Sequence, residues 1–361
     1  MTNYIYKQFN EDTDIHPDQR EVVTAPLWSN GQAALTAIHT SSTQNITQQE
    51  YYIECFNSQS NVEGAESQFS IAYCDYDSSG SSTGSLGTDL YIRPTKTNYS
   101  QYAQLLLPVG IDIFTFNDGE PTEESSNYVY VINVNTARFK DRIDTGNWQF
   151  SLASLDHTGS VNPTASMTTL IDNSSGTTTE LNGQGGRQYR IVSGSIIDGI
   201  YSEDQTPWGL FYPDNGIFVL NGKALDVSCS FDTNRAPDTG SGTFNHKRLV
   251  TSMQGATSNG LYFQGRTNEV ISSLYYFARV RWNEYNYSNN PSFYAGNTLN
   301  YGQLKHPTMG PSMGTAGNPE TFITTIGMYD DAENLLAVAK LSQPIKNTFD
   351  HESIFKIKLD Y

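Results

Sequence analysis

Residues 321–361 decide the fold class of this chain and read TFITTIGMYDDAENLLAVAKLSQPIKNTFDHESIFKIKLDY. Thr321–Met328 and Leu335–Leu341 are apolar or alternating runs on either side of the polar stretch Tyr329–Asn334, a pattern that predicts a β-hairpin. Ser353–Tyr361 then alternates without interruption. One face of this predicted strand is apolar and the other carries Lys356, Lys358 and Asp360. The segment therefore predicts antiparallel strands with one buried face.

The same pattern extends upstream, where short apolar runs are separated by Gly, Asn, Asp and Ser. Further strands are predicted at Phe69–Tyr73, Tyr128–Val134, Trp148–Leu152, Arg190–Ile197, Gly216–Leu220 and Tyr275–Trp282. One segment differs, because apolar residues of 98–106 recur at helical spacing and Pro108 follows. We predict a mainly β chain of antiparallel β-sandwich domains, with a short helix near 98–106.

The domain organisation is inferred from composition. Residues 1–24 are rich in charge and poor in periodicity, which predicts an extended N-terminal arm that a neighbouring subunit orders. Residues 25–230 are expected to form an N-terminal mainly β domain. The polar, Gly-rich stretch at 231–244 is typical of a linker or a long loop. Residues 245–361 are expected to form a C-terminal β-sandwich.

Charge and hydropathy exclude two classes of partner. The chain has 38 Asp and Glu against 21 Lys and Arg, a formal charge of −17, so its averaged field repels nucleic acid. No stretch approaches the roughly 20 apolar residues that span a bilayer, so membrane insertion is not expected. The first residues, MTNYIYKQFNEDTD, lack the apolar region of a secretory signal, and we expect synthesis and assembly in a cytoplasm.

Motifs that carry chemistry are missing from the sequence. The six histidines are isolated, and neither a nucleophile elbow nor a phosphate-binding loop occurs. Asp75–Gly80 copies the first half of a calcium loop, but the position for the bidentate Glu is Leu86. We therefore predict no catalytic residue, metal or cofactor, and no enzyme activity. Cys55, Cys74 and Cys229 are expected to be buried thiols, with a Cys55–Cys74 disulfide as the alternative.

The aromatic residues give the candidate binding sites. The chain has 23 Tyr, 17 Phe and 4 Trp, and Tyr beside Asn, Ser and Gly is typical of contact surfaces. The predicted interface residues are Trp282, Tyr285, Tyr287, Phe293 and Tyr294, together with Lys356 and Lys358. Plain loop packing is the alternative for the aromatic residues. For the two lysines, the alternative is protection of an exposed strand against aggregation.

Several segments of the chain are distinctive as a set. They are residues 319–361, NEYNYSNNPSF (283–293), PLWSNGQAALTAIHTSSTQ (26–44), NYSQYAQLLLP (98–108) and PWGLFYPDNGIFVLNGKALD (207–226). Together they resemble virion structural proteins of contractile-tailed phages, especially the T-even-like phages of cyanobacteria. This resemblance implies a building block of the tail, baseplate or neck of the virion, in contact with other virion proteins and with symmetry-related copies of itself. It implies no catalytic residue.

Two other functions stay open on the sequence. A glycan-binding or receptor-binding tail module would use exposed aromatic rings such as Trp208 or Trp282 as stacking platforms. An enzyme that degrades host polysaccharide would use paired carboxylates, for which 38 acidic residues supply candidates but no motif.

Overall fold

A computed structural model describes residues 6–17, 21–41, 52–59, 62–77, 95–117, 119, 121–156, 159–162, 167–175, 181–183, 185–196, 200–201, 206–231, 245–256, 263–287 and 321–360. The fold is mainly β and its sheets are antiparallel, which confirms the predicted fold class. The chain divides into two compact units. Unit 1 consists of Met1–Glu21 and Ile271–Tyr361, and unit 2 consists of Val22–Val270.

These units differ from the predicted domains. Residues 245–270 belong to unit 2 and not to a C-terminal domain, and residues 1–21 belong to unit 1. Most of the predicted linker, 232–244, lies outside the described residues. The chain passes between the units near residues 21 and 271, inside β-rich sequence with no linker composition. The two divisions differ because composition marks long polar loops, whereas a unit is defined by contacts between distant parts of the chain.

Unit 1 contains a sheet with the strand order β1, β20, β23. The elements of this part are α1 (Glu11–Asp14), β1 (Ile15–Pro17), β20 (Ser273–Val280) and β23 (Ser353–Asp360). β23 pairs with β20 over its whole length. Phe355 and Ile357 of β23 are buried while Lys356 and Lys358 are exposed. The alternation predicted for the last strand is therefore confirmed.

The predicted hairpin is also confirmed. β21 (Thr321–Tyr329) pairs with β22 (Leu335–Asn347), and we call this pair the ribbon. Asp330 and Asn334 close its turn. The backbone N–H and the side-chain amide of Asn334 both donate hydrogen bonds to the Asp330 carboxylate. The pairing of β21 with β22 is irregular at one point. The single residue of β21 between Ile323 and Thr325 lies opposite a longer stretch of β22, between Lys340 and Ile345.

Unit 2 is organised around one long sheet with the order β3-β18-β11-β12-β14-β16-β17-β9-β6-β5-β4. β13 and β15 pair with β14, β10-β19-β2 form a second sheet, and β7 pairs with β8. The strands are β2 (Glu21–Pro26), β3 (Ala34–Leu35), β4 (His39–Ser41), β5 (Tyr52–Phe56), β6 (Ser67–Asp75), β7 (Phe114–Phe116), β8 (Glu124–Ser126), β9 (Tyr128–Val134), β10 (Arg142–Ile143), β11 (Gln149–Ala153), β12 (Met167–Asp172), β13 (Leu181–Gly183), β14 (Gly186–Ser195), β15 (Ile200–Tyr201), β16 (Gly209–Tyr212), β17 (Ile217–Asn221), β18 (Phe263–Gln264) and β19 (Arg266–Ile271).

The central strands of this sheet are buried on both faces. In β9, Tyr130 and Ile132 join one hydrophobic cluster, whereas Val129 and Val131 join another. The second cluster includes Tyr99 of helix α2 (Thr95–Leu106). Strands covered on both faces read as continuous apolar runs rather than as alternating ones, which explains the sequence of β9 and β17.

The predicted helix near 98–106 is confirmed as α2, whose Tyr99, Ala103 and Leu106 are buried. Two more helices, α3 (Gly222–Cys229) and α4 (Asn245–Gly255), were not predicted. The Asn221 side chain caps α3 by accepting a hydrogen bond from the Lys223 N–H. Both helices have weak sequence signals because they are short and each has Gly at one end.

The N-terminal segment is attached to its own unit. β1 pairs with β20, from Ile15 opposite Tyr276 to Pro17 opposite Leu274. The Phe9 ring lies edge-on to Tyr276 at 5.5 Å. Residues 6–17 are thus held within unit 1, while the prediction that a neighbouring subunit orders the arm stays untested.

Candidate functional site

The aromatic interface candidates lie in a loop of unit 1 directly after β20, which we call the aromatic loop (Arg281–Tyr287). Trp282, Tyr285 and Tyr287 expose 52%, 48% and 65% of their surface. The Trp282 and Tyr287 ring centroids lie 6.4 and 6.5 Å from that of Phe349. The loop therefore places large aromatic groups on the surface of the unit, as the sequence predicted for an interface.

Two buried asparagines hold the backbone of the aromatic loop through hydrogen bonds. The Asn347 amide donates to the Glu284 carbonyl at 2.9 Å and to Asn286 Oδ1 at 3.0 Å. Asn286 in turn donates to the Trp282 carbonyl at 2.6 Å. The Thr321 hydroxyl donates to the Tyr285 carbonyl at 2.8 Å. Because the backbone is held at three of its carbonyls, it loses little conformational entropy when a partner binds the loop.

The N-terminal segment also holds this loop. Lys7 Nζ lies 2.7 Å from Glu284 Oε2, and the Arg281 N–H donates to the same oxygen at 2.9 Å. Partial burial opposes ionisation of Glu284, but the Arg281 N–H and the Lys7 ammonium outweigh it and lower the pKa of this carboxyl. The ion pair links residue 7 to residue 284, a contact that the sequence did not indicate.

Lys356 and Lys358 are on the exposed face of β23, as predicted. Lys356 Nζ lies 3.7 Å from the ring centroid of Tyr275, in cation–π geometry. Lys358 Nζ lies 3.2 Å from Asp360 Oδ1 and 3.5 Å from Glu21 Oε2, and the hydrogen bond to Asp360 is the main cause that raises the pKa of Lys358. The charge of Lys358 is therefore balanced by two carboxylates, whereas Lys356 lies over an aromatic ring.

The ribbon carries exposed apolar side chains that the sequence interpretation did not single out. Tyr329, Leu335, Leu336 and Val338 are exposed, although Met328 on the opposite face is buried. The Tyr6 ring lies 4.9 Å from that of Tyr329. The signal in the sequence is the run LLAVA at 335–339, in which apolar residues do not alternate with polar ones. Exposed apolar clusters of this kind mark binding surfaces.

Other predicted residues do not join this surface. Phe293 and Tyr294 lie outside the described residues. Trp208, offered above as a stacking platform, is only 3% exposed. That suggestion was wrong, because Trp208 directly precedes β16, a strand with no exposed residue.

The three cysteines and one carboxylate of unit 2 are buried. Cys55, Cys74 and Cys229 are free and buried, as predicted, and desolvation raises the pKa of each thiol. Burial also raises the pKa of Asp172, whose carboxylate accepts hydrogen bonds from the N–H groups of Gly146 and Ser174. Among the described residues, no group of three or more His, Cys, Asp or Glu is arranged to hold a metal ion. Residues 78–86 of the calcium-like stretch lie outside the described part.

Comparison of this chain with protein families, with curated proteins and with solved structures finds no match in any of the three. Over the described residues, the helices are too short or too polar for any of them to cross a lipid bilayer.

Proposed function

We propose that this chain is a structural component of the virion of a contractile-tailed phage, in the tail or baseplate region. In this role it is held by other virion proteins and by copies of itself through the surface of unit 1. The single observation that carries the proposal is the aromatic loop, where a rigid backbone presents Trp282, Tyr285 and Tyr287 to solvent. Tyr and Trp on fixed loops are the side chains that contribute most to protein–protein binding.

The rest of unit 1 supports an assembly role. The ribbon exposes Leu335, Leu336 and Val338, and the β23 face adds Lys356. A surface that combines aromatic, aliphatic and basic side chains suits a large interface with an apolar core and a polar rim. The overall charge of −17 opposes non-specific association and the capture of nucleic acid.

Incorporation into particles tests the proposal. A tagged full-length chain is produced in cells infected with the phage that encodes it, and the fraction of tag in gradient-purified particles is measured. The variant with Trp282→Ala, Tyr285→Ala and Tyr287→Ala should enter particles at least tenfold less, since these rings are placed at the interface. The control is Val109→Ala, an exposed apolar residue of unit 2, which should enter normally. Equal incorporation of the triple variant and the control would contradict the proposed interface.

The second candidate is glycan binding by the same loop. The Trp282 and Tyr287 rings both border Phe349, and such exposed rings can stack on sugars. A glycan array probed with the full chain separates the two functions. Binding that is lost in Trp282→Ala but kept in Val109→Ala would favour recognition of a host glycan, whereas the structural role predicts no binding to the array.

A further inference from the structure

The two edges of the ribbon differ in chemistry. In the part of the chain that the structure describes, β21 pairs with β22 and with no other strand, so each strand has one edge without a partner. β22 contains Lys340, Pro344 and Lys346 and is interrupted by the irregularity described above. Lysine, proline and bulges are the features by which proteins protect a sheet edge from pairing.

The edge of β21 has neither lysine nor proline. Its sequence, TFITTIGMY, contains no charged residue and no proline, and it is rich in the β-branched and aromatic residues that strands favour. Phe322, Thr324 and Thr325 are exposed. An isolated pair of strands is at best marginally stable in water, so a further strand on β21 would stabilise the ribbon.

We propose that β21 pairs antiparallel with β21 of a second copy of this chain, across a twofold axis. The pairing would join two ribbons into one continuous sheet by β-strand addition. This inference rests on the proposed function, which requires contacts between copies, and it names the surface that makes one of them.

Charge explains why a second copy is the occupant. The chain carries −17 overall, so most of its surface repels another copy, but β21 brings no charge to the contact. The acidic turn with Asp330, Asp331 and Glu333 lies at one end of the ribbon, and Lys346, opposite Phe322, lies at the other. An antiparallel twofold contact sets the acidic turn of one copy beside the Lys346 end of the other, and each opposite-sign contact occurs twice.

Sedimentation velocity of the full-length chain over a range of concentrations tests this contact. Thr324 is exposed and has no partner residue in the β22 register. Because it lies near the middle of β21, twofold pairing about the middle of the strand brings Thr324 of the two copies close together. Thr324→Lys and Thr324→Glu should each weaken the dimer about fivefold or more, because like charges then face one another. An equimolar mixture of the two variants should restore it. Ser342→Lys, an exposed position on β22, is the matched control and should dimerise like the wild type.

The inference is overturned if the wild-type chain is a monomer at every soluble concentration. It is equally overturned if folded Thr324→Lys and Thr324→Glu chains, checked by circular dichroism, dimerise as tightly as the wild type. Particle incorporation is read separately with the same variants. A dimer that responds to charge at Thr324 in a chain that never enters particles would refute the proposed function and leave the self-pairing of β21 intact.

Discussion

Replacement of Asn347 by Ala is the sharpest test of how the aromatic loop is held. Asn347 is completely buried, and its amide donates to the Glu284 carbonyl and to Asn286 Oδ1 at 2.9 and 3.0 Å. No other residue that the structure describes bonds both groups. The variant should therefore release the loop backbone while leaving the exposed rings chemically unchanged.

The size of the effect follows from these bonds. Removal of the Asn347 amide leaves two acceptors without this donor, at a cost of about 1 to 3 kcal/mol each. Asn347 Oδ1 has no hydrogen-bond partner among the described residues, so its removal offsets about 1 to 3 kcal/mol. The net loss is about 2 kcal/mol, which corresponds to roughly a thirtyfold increase in local opening.

Hydrogen exchange measured by mass spectrometry provides the readout, on peptides that cover residues 281–287 and, for comparison, peptides of unit 2. Asn347→Ala should speed exchange in 281–287 by about thirtyfold and leave unit 2 unchanged. Asn334→Ala is the matched control, because Asn334 is an exposed asparagine whose side-chain amide, among the residues that the structure describes, bonds to Asp330 alone. Unchanged exchange in 281–287 of the Asn347 variant would refute the reasoning that these bonds fix the loop.

Three further predictions concern the two units. Desolvation lowers the pKa of buried His246 to about 3, so below pH 6.5 the unfolded chain binds a proton that the folded chain does not bind. This proton uptake destabilises the wild type as the pH falls, and urea unfolding should show that His246→Gln loses about 2 kcal/mol less stability between pH 7 and pH 5. Equal losses in the two proteins would contradict this. Deletion of residues 353–361 removes the strand that pairs with all of β20, so limited proteolysis should cut unit 1 and spare unit 2; a protected unit 1 would count against it. Tyr99→Phe removes a hydroxyl that donates to the Ser126 carbonyl and accepts from the Phe114 N–H. Chemical denaturation should show unit 2 destabilised by about 1 to 3 kcal/mol. A loss of stability below about 0.5 kcal/mol would argue against both bonds.

The strands were predictable where one face is buried and the other exposed. In β23 the alternation of Phe355 and Ile357 with Lys356 and Lys358 gave both the strand and its buried face. The helix α2 was predictable because Tyr99, Ala103 and Leu106 recur at helical spacing. In each case the decisive contacts follow a local period of the sequence.

The division into units was not predictable in this way. Residues 1–21 and 271–361 form one unit through contacts such as Lys7 with Glu284, which are separated by 277 positions. Pairing at that distance leaves no local pattern, and the chain passes into unit 2 without a change of composition. The same limit explains why the sequence did not indicate that residues 245–270 belong with unit 2.

The candidate site was predictable only in part. The exposure of Trp282, Tyr285 and Tyr287 follows from their place in an Asn-rich loop after a strand. The support from Asn347, 61 residues after Asn286, depends on three-dimensional packing. Trp208 was misjudged because an aromatic residue beside Pro and Gly is typical both of loops and of buried strands.

The central claim is that other virion proteins cover the aromatic loop of unit 1. A cryo-electron microscopy map of the intact particle that encodes this chain tests it most directly. We expect density for this chain in the tail or baseplate, with Trp282, Tyr285 and Tyr287 buried against a neighbouring protein. A particle that lacks the chain, or one in which these three rings face solvent, would contradict it.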